Sequence, residues 1–232
     1  MNKKDNLVRK IYREEDTKKI KQKIELLGNT VKFDAIDFIN IRLISSLIVF
    51  FVILYITDVG YFFAPFFTII YYYLYQIVLL EIPIKRRTRK LDHEALYFFE
   101  ILTLTLESGR NLEDAIKIAV ENVDSSLSLE FKKTLDEIKY GKTLMEALND
   151  TKKRIPSETI NNIILNITQT SVFGNSIIET LYNQIEFLRD KQILDIKGQI
   201  NKIPNKVSIV SVLFVVPLIL LLILGPFLIS LL

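Results

Sequence analysis

Apolar residues gather in two blocks, 41–84 and 207–232, and the rest of the chain mixes apolar and charged positions at helical spacing. The first block divides in two. Residues 41–56 read IRLISSLIVFFVILYI, with Arg42, Ser45 and Ser46 as the polar interruptions. Thr57 to Gly60 is a turn signal, and Tyr61 to Ile82 is apolar again. Each run approaches the roughly 20 residues a helix needs to cross a bilayer. The pattern therefore predicts an antiparallel membrane hairpin over 41–84, with Tyr61, Phe62 and Phe63 at an interfacial aromatic belt. Tyr71, Tyr72 and Tyr73 fall near the middle of the second run, where their hydroxyls need partners, so at least two are expected to face other helices. The last block, 206–232, predicts a third span. Pro217 interrupts it and Gly225-Pro226 lies near its exit, breaks that a membrane helix tolerates when neighbouring groups satisfy the freed carbonyls.

Charge sets the direction of these spans. The 30 Lys and Arg residues lie outside the blocks or at their edges. Lys85 to Lys90 (KRRTRK) follows the second run directly, Lys32 and Arg42 stand at the start of the first, and the turn between the runs carries Asp58 and no Lys or Arg. The positive-inside rule then puts the N-terminus and residues 85–206 in the cytoplasm and the C-terminus outside, giving a multi-pass protein of the cell membrane. Residues 1–40 form a charged cytoplasmic segment without a signal-peptide pattern. Leu7, Ile11, Ile20, Ile24 and Leu27 recur at about helical spacing, which predicts an amphipathic helix ending near Gly28. Its Lys-rich face suits either a membrane surface or packing on the remaining cytoplasmic part.

Residues 91–205 show no strand alternation and predict a bundle of about six helices. The first, Asp92 to about Ser108, is apolar nearly all round and is expected at the centre. A short pattern then recurs: GRNLEDAI from Gly109, GKTLMEAL from Gly141 and GNSIIETL from Gly174, spaced 32 and 33 residues apart. In each copy the glycine suits the left-handed position that ends a helix. Two residues on, Asn111, Thr143 or Ser176 caps the next helix, and Asp114, Glu146 or Glu179 follows three residues later. For Thr143–Glu146 and Ser176–Glu179 this is the capping box. Leu112, Leu144 and Ile177 begin the buried face of each new helix. The last soluble helix, Ser176 to about Gln199, spans roughly 35 Å and leads through Ile203-Pro204 into the third span.

Composition removes several function classes. Half the chain is hydrophobic, and it has no cysteine and one histidine, His93. Disulfides, thiolate metal sites and a His-based metal cluster are excluded. The net charge is +3 and no basic motif appears, so nucleic acid is not an expected partner. No GxxxxGK[ST] phosphate loop and no Ser/His/Asp set is present, so neither a nucleotidase nor an enzyme of any other kind is expected, and no cofactor. His93-Glu94 has the form of the phospho-accepting pair of sensor kinases, but no nucleotide-binding domain follows, and a solvated first-turn histidine is the expectation. Glu100 and Glu107 lie two turns apart on one helix, where pairing with Lys or Arg is expected over a divalent cation. Arg86 to Lys90, Arg189 and Lys191 suit anionic head groups as well as topology control.

The run FFEILTLTLESGRNLEDAI (98–116), then GKTLMEAL, then FGNSIIETL (173–181), resembles the type II secretion system F domain. The ending NKVSIVSVLFVVPLILLLILGPFLISLL (205–232) is similar to that of the TadC branch, the platform of tight-adherence (Tad) pili. In that branch a lysine precedes an apolar span with a central proline and a late Gly-Pro, here Lys206, Pro217, Gly225 and Pro226. The resemblance implies a single-domain platform protein under a growing pilus or pseudopilus. It implies as partners a hexameric secretion ATPase, pilin or pseudopilin subunits, a second F-domain protein and membrane lipid, in a hetero- or homo-oligomer. Motion of the helical domain would pass through the last helix to the third span. A multi-span transporter or a membrane-tethered signalling bundle are the competing classes. A transporter should carry an acid deep in a span, whereas Asp58 sits in the turn. A signalling coiled coil should run as unbroken heptads, whereas glycine corners break the pattern.

Overall fold

The structure, a computed structural model, describes residues 14–28, 34–56, 60–173, 177–201, 208, 211–220 and 222–223. Leu7, Ile11, the centre of the Thr57–Gly60 turn, Gly174, Ser176, Ile203-Pro204, Lys206, Gly225 and Pro226 lie outside the described residues. Every described element is helical, and no strand occurs among the described residues. The chain divides into two compact units, Met1–Gln184 and Ile185–Leu232.

The first unit begins with α1 (Glu14–Glu25), α2 (Ala35–Ile56) and α3 (Gly60–Gln76). A π-helical turn, Ile77–Glu81, joins α3 without a break to α4 (Ile82–Glu107). Two helices are long and apolar enough to cross a membrane: Ala35–Ile56, and the continuous Tyr61–Glu107 of 47 residues. At 1.5 Å per residue the second is about 70 Å long, more than twice the thickness of a hydrocarbon core, so one end must project well beyond a bilayer. A separate helix starting at Asp92 is therefore corrected: the span and the first helix of the bundle are one rod. The physical reason is local. KRRTRK contains good helix formers and no glycine. Pro83 would ordinarily collide with the carbonyl one turn earlier. The wide turn just before it, in which the Ile82 N–H reaches back to the Ile77 carbonyl, relieves that contact at the cost of a local bulge.

α2 and α3 pack together as a hairpin. On its outward faces Ile44, Ile48, Phe51, Phe62 and Phe66 are exposed, as lipid-facing side chains would be. Of the three central tyrosines, Tyr72 meets α2, Tyr71 pairs its ring with Tyr75 on its own helix, and Tyr73 is exposed. α1 packs on α2, and Ile20 and Leu27 are buried with Ala35, Phe38, Ile39 and Leu80 at the base of the hairpin. Between the two settings open to the N-terminal helix, the described part of it lies against protein.

α5 (Leu112–Asn122), α6 (Ser126–Lys139), α7 (Leu144–Arg154) and α8 (Glu158–Phe173) follow α4, which touches α5, α6 and α8. The core is aromatic at its heart: Phe98 of α4 stacks on Phe131 of α6 with ring centres 4.6 Å apart, and Phe99 meets Phe131 edge-on at 6.2 Å. Each fully buried phenylalanine of this kind contributes about 2–3 kcal/mol from area alone. Leu104 stands exposed, so α4 keeps one open stripe.

α9 (Ile177–Ile200) starts in the first unit and runs on into the second. The second unit also contains a short apolar helix, Ser211–Leu220, with Pro217 inside it and exposed.

Candidate functional site

Two corners of the repeated pattern fall within the described residues. Gly109 has φ +86° and Gly141 φ +100°, the left-handed region where a Cβ is strained, although open space surrounds both. After α6 the closure is a full Schellman pair: Gly141 N–H donates to the Ile138 carbonyl at 2.9 Å, and Lys142 N–H to the Glu137 carbonyl at 3.2 Å. Thr143 then caps α7. Its Oγ1 accepts from the Glu146 N–H, and the Glu146 carboxylate accepts from the Thr143 N–H at 3.0 Å. At the first corner Asn111 Oδ1 accepts from the Asp114 N–H at 2.8 Å. There the Asp114 carboxylate takes the Asn111 side-chain amide instead of the backbone, because aspartate is one methylene shorter. At the third corner Glu179 is within α9, while Gly174 and Ser176 lie outside the described residues.

Charge is gathered around the second corner. Lys142 bridges Glu137 at 2.9 Å and Asp150 at 2.7 Å, and Lys153 also reaches Asp150. Hydrogen bonds from Lys142 and then Lys153 hold the Asp150 carboxyl down at about 2. Bonds from Thr143 lower Glu146 in the same direction.

A second constellation was not visible in the sequence. Arg87, inside the basic run, is largely buried in a junction of four segments. Its Nη1 donates to the Leu26 carbonyl at 2.5 Å, in the turn after α1, and to the Arg154 carbonyl at 2.9 Å, at the end of α7. Its Nη2 donates to Glu130 Oε1 on α6 at 2.9 Å. Glu130 is buried and also accepts from Lys133, while its Oε2 lies 3.5 Å from Arg154 Nε. Arg154 in turn pairs with Glu137 at 2.5 Å. Burial pushes the Arg87 guanidinium below its usual range, and the Glu130 charge and hydrogen bond push it back up. Nearby, Asp92 accepts from Ser157 Oγ, and Glu94 accepts from the Leu127 N–H at 3.0 Å, capping α6 from a distance. One rod, α4, thus carries Arg87, Asp92 and Glu94, which together hold the turn after α1 and three helices of the bundle. This arrangement binds segments to one another; it has no nucleophile–base pair.

The other singled-out residues are scattered. His93 is exposed in the middle of α4, not in a first turn, because the helix starts ten residues before Asp92. Glu107 accepts from the Tyr182 hydroxyl, a partner that is neither a Lys nor an Arg. Among the described residues no three His, Cys, Asp or Glu side chains are grouped for a metal.

Comparison with protein families decides what this architecture is. A family model, type II secretion system (T2SS), protein F, matches residues 98–225. The chain belongs to this family. F-family proteins are structural platform components of type II secretion and related pilus-type machines, not enzymes. They are inner-membrane components and generally work in oligomers with a secretion ATPase and pilin subunits. No curated protein and no solved structure gives a match. In this F-family chain the matched region starts within α4, beyond Arg87, so the rod joins the family domain to the hairpin.

Proposed function

We propose that this protein is the inner-membrane platform of a type II secretion or Tad-type pilus machine, coupling a cytoplasmic ATPase to the assembly of pilin subunits. The α2–α3 hairpin crosses the membrane, residues 206–232 form a third span, and the N-terminus and the helical domain face the cytoplasm. A second F-domain protein or a second copy of this chain completes the assembly. The observation that carries the reading is the unbroken helix Tyr61–Glu107, clamped at Arg87. A push on the bundle from an ATPase reaches the membrane through a rod and not through a flexible linker. The clamp holds that rod to α6, α7 and the turn after α1, so they move together. Movement also passes along α9 toward the third span, in parallel with the rod.

Replacing Lys85 and Arg86, both exposed on the rod, with glycine tests this. Helix interiors lose about 1 kcal/mol per glycine, and the rod should soften there without losing the spans. The variant should stay in the membrane fraction at normal abundance and lose filament assembly. Normal assembly with the softened rod would exclude transmission through it.

A further inference from the structure

At the base of the hairpin a cavity of about 540 Å³ opens between α1, α2 and α3, and Lys19, Lys23, Arg42, Tyr72, Tyr73 and Gln76 are among its walls. Arg42 is the unusual member. Its residue exposure is 6%, and its partners are neutral: Gln76 Oε1 accepts from Nη1 at 2.7 Å and the Tyr72 hydroxyl from Nη2 at 2.5 Å. The Tyr72 ring lies under the guanidinium at 4.0 Å, and Arg42 Nε has no hydrogen-bond partner. No carboxylate pairs with Arg42 among the described residues, so a buried cation has everything but its counter-charge. Lys19 adds a second charge, and Lys23 a third that is shared with Glu81 at 2.8 Å. Among the residues whose side chains are described, no acid lines the cavity.

The level of the cavity identifies the occupant. Toward the hairpin tip the α2 surface turns apolar, with Ile44, Leu47, Ile48 and Phe51 exposed. Away from it stand Lys19, Lys23 and Glu81. Arg42, Tyr72 and Gln76 mark the boundary, the level at which head groups lie and where aromatic rings prefer to sit. We propose that this cavity binds the phosphate of an anionic phospholipid of the cytoplasmic leaflet, with Arg42 as its buried ligand and Lys19 and Lys23 as its outer ones. The inference rests on the hairpin crossing the membrane. A lipid seated here ties α1 to the hairpin base, next to the turn that Arg87 holds.

The test uses the full chain purified in a neutral detergent. Its melting temperature is followed while phosphatidylglycerol, phosphatidylcholine or inorganic phosphate is added, and carried-over lipid is identified by native mass spectrometry. Phosphatidylglycerol should be retained and should raise the melting point, with little effect from phosphatidylcholine. A lysine at a membrane surface contributes about a fivefold gain in affinity, so Lys19→Gln with Lys23→Gln should weaken phosphatidylglycerol by about twenty-fivefold. Arg42→Gln should abolish the shift. Because that change also removes a tie between α2 and α3, the lysine pair gives a second readout, Lys19 being exposed and Lys23 half-buried beside Glu81. Equal shifts with both lipids, or an unchanged response in the lysine variant, would overturn the site. A full response to inorganic phosphate would replace the lipid with a soluble anion and overturn the assignment to a leaflet. Release of the chain from membranes by alkaline carbonate would overturn the membrane reading itself, whereas a chain that stays in the membrane without the shift loses the lipid site alone.

Discussion

Replacing Arg87 with methionine removes three hydrogen bonds, to the Leu26 and Arg154 carbonyls and to Glu130. The Arg87 and Glu130 side chains are 16% and 6% exposed, so this pair lies in the buried regime and not among surface ion pairs. Breaking such a pair from one side costs about 3–5 kcal/mol, because the remaining charge stays buried. Lys133 and Arg154 still attend Glu130, which argues for the lower half of that range. A gain of roughly 1 kcal/mol from not burying a guanidinium's charge reduces it further, so about 2–3 kcal/mol is the expectation. For a chain of this size that corresponds to a fall in melting point of about 4–12 °C. The assay is helical ellipticity against temperature in detergent. Glu130→Leu should cost at least as much, because it leaves Arg87 and Arg154 without their shared acid, and the double variant should cost less than the sum of the two. Additive losses, or a shift under 2 °C for Arg87→Met, would refute the clamp.

Three further perturbations test other parts of the fold. Gly141→Val should destabilise by about 1–2 kcal/mol through its backbone conformation alone, since nothing crowds the site, whereas Gly198→Ala inside α9 should stabilise by up to about 1 kcal/mol; equal melting points for the two would contradict the corner geometry. Phe131→Ala removes the ring between Phe98 and Phe99 and should cost about 3–5 kcal/mol, read from denaturant or thermal unfolding. Asp150 is held down at about 2, below its ordinary value near 4, so its stabilisation is complete above pH 4 and is lost as pH falls from about 4 to 2. Asp150→Asn should flatten that limb of a melting-point–pH profile and leave the profile above pH 5 parallel to the wild type.

Local rules account for what the sequence made legible. The apolar runs of the hairpin and the second corner could be read because all their determinants lie within a few residues: Gly141, Thr143 and Glu146 close their own hydrogen bonds. The rod was hidden for the opposite reason. KRRTRK looks like a linker because it is charged, yet lysine and arginine propagate helices, and the π turn that admits Pro83 has no sequence signature of its own. The Arg87 junction joins residues 26, 87, 130 and 154, and no local pattern announces such a set. Arg42 read as an orientation signal, and its burial against Tyr72 and Gln76 follows from the register of two helices, which only packing sets. Glu81, at the end of the second apolar run, pairs with Lys23 of α1 across 58 residues, a contact that no local pattern marks.

If this chain is a platform on which an ATPase acts, the two should leave the membrane together. The most direct measurement is co-purification of the tagged full chain from its host in mild detergent, with mass spectrometry of what accompanies it. A hexameric secretion ATPase should come with it, together with pilin subunits or a second F-domain protein. Reproducible recovery of a solute-binding or signalling protein, with no ATPase and no pilin, would contradict the platform role and leave the F-family fold serving another function.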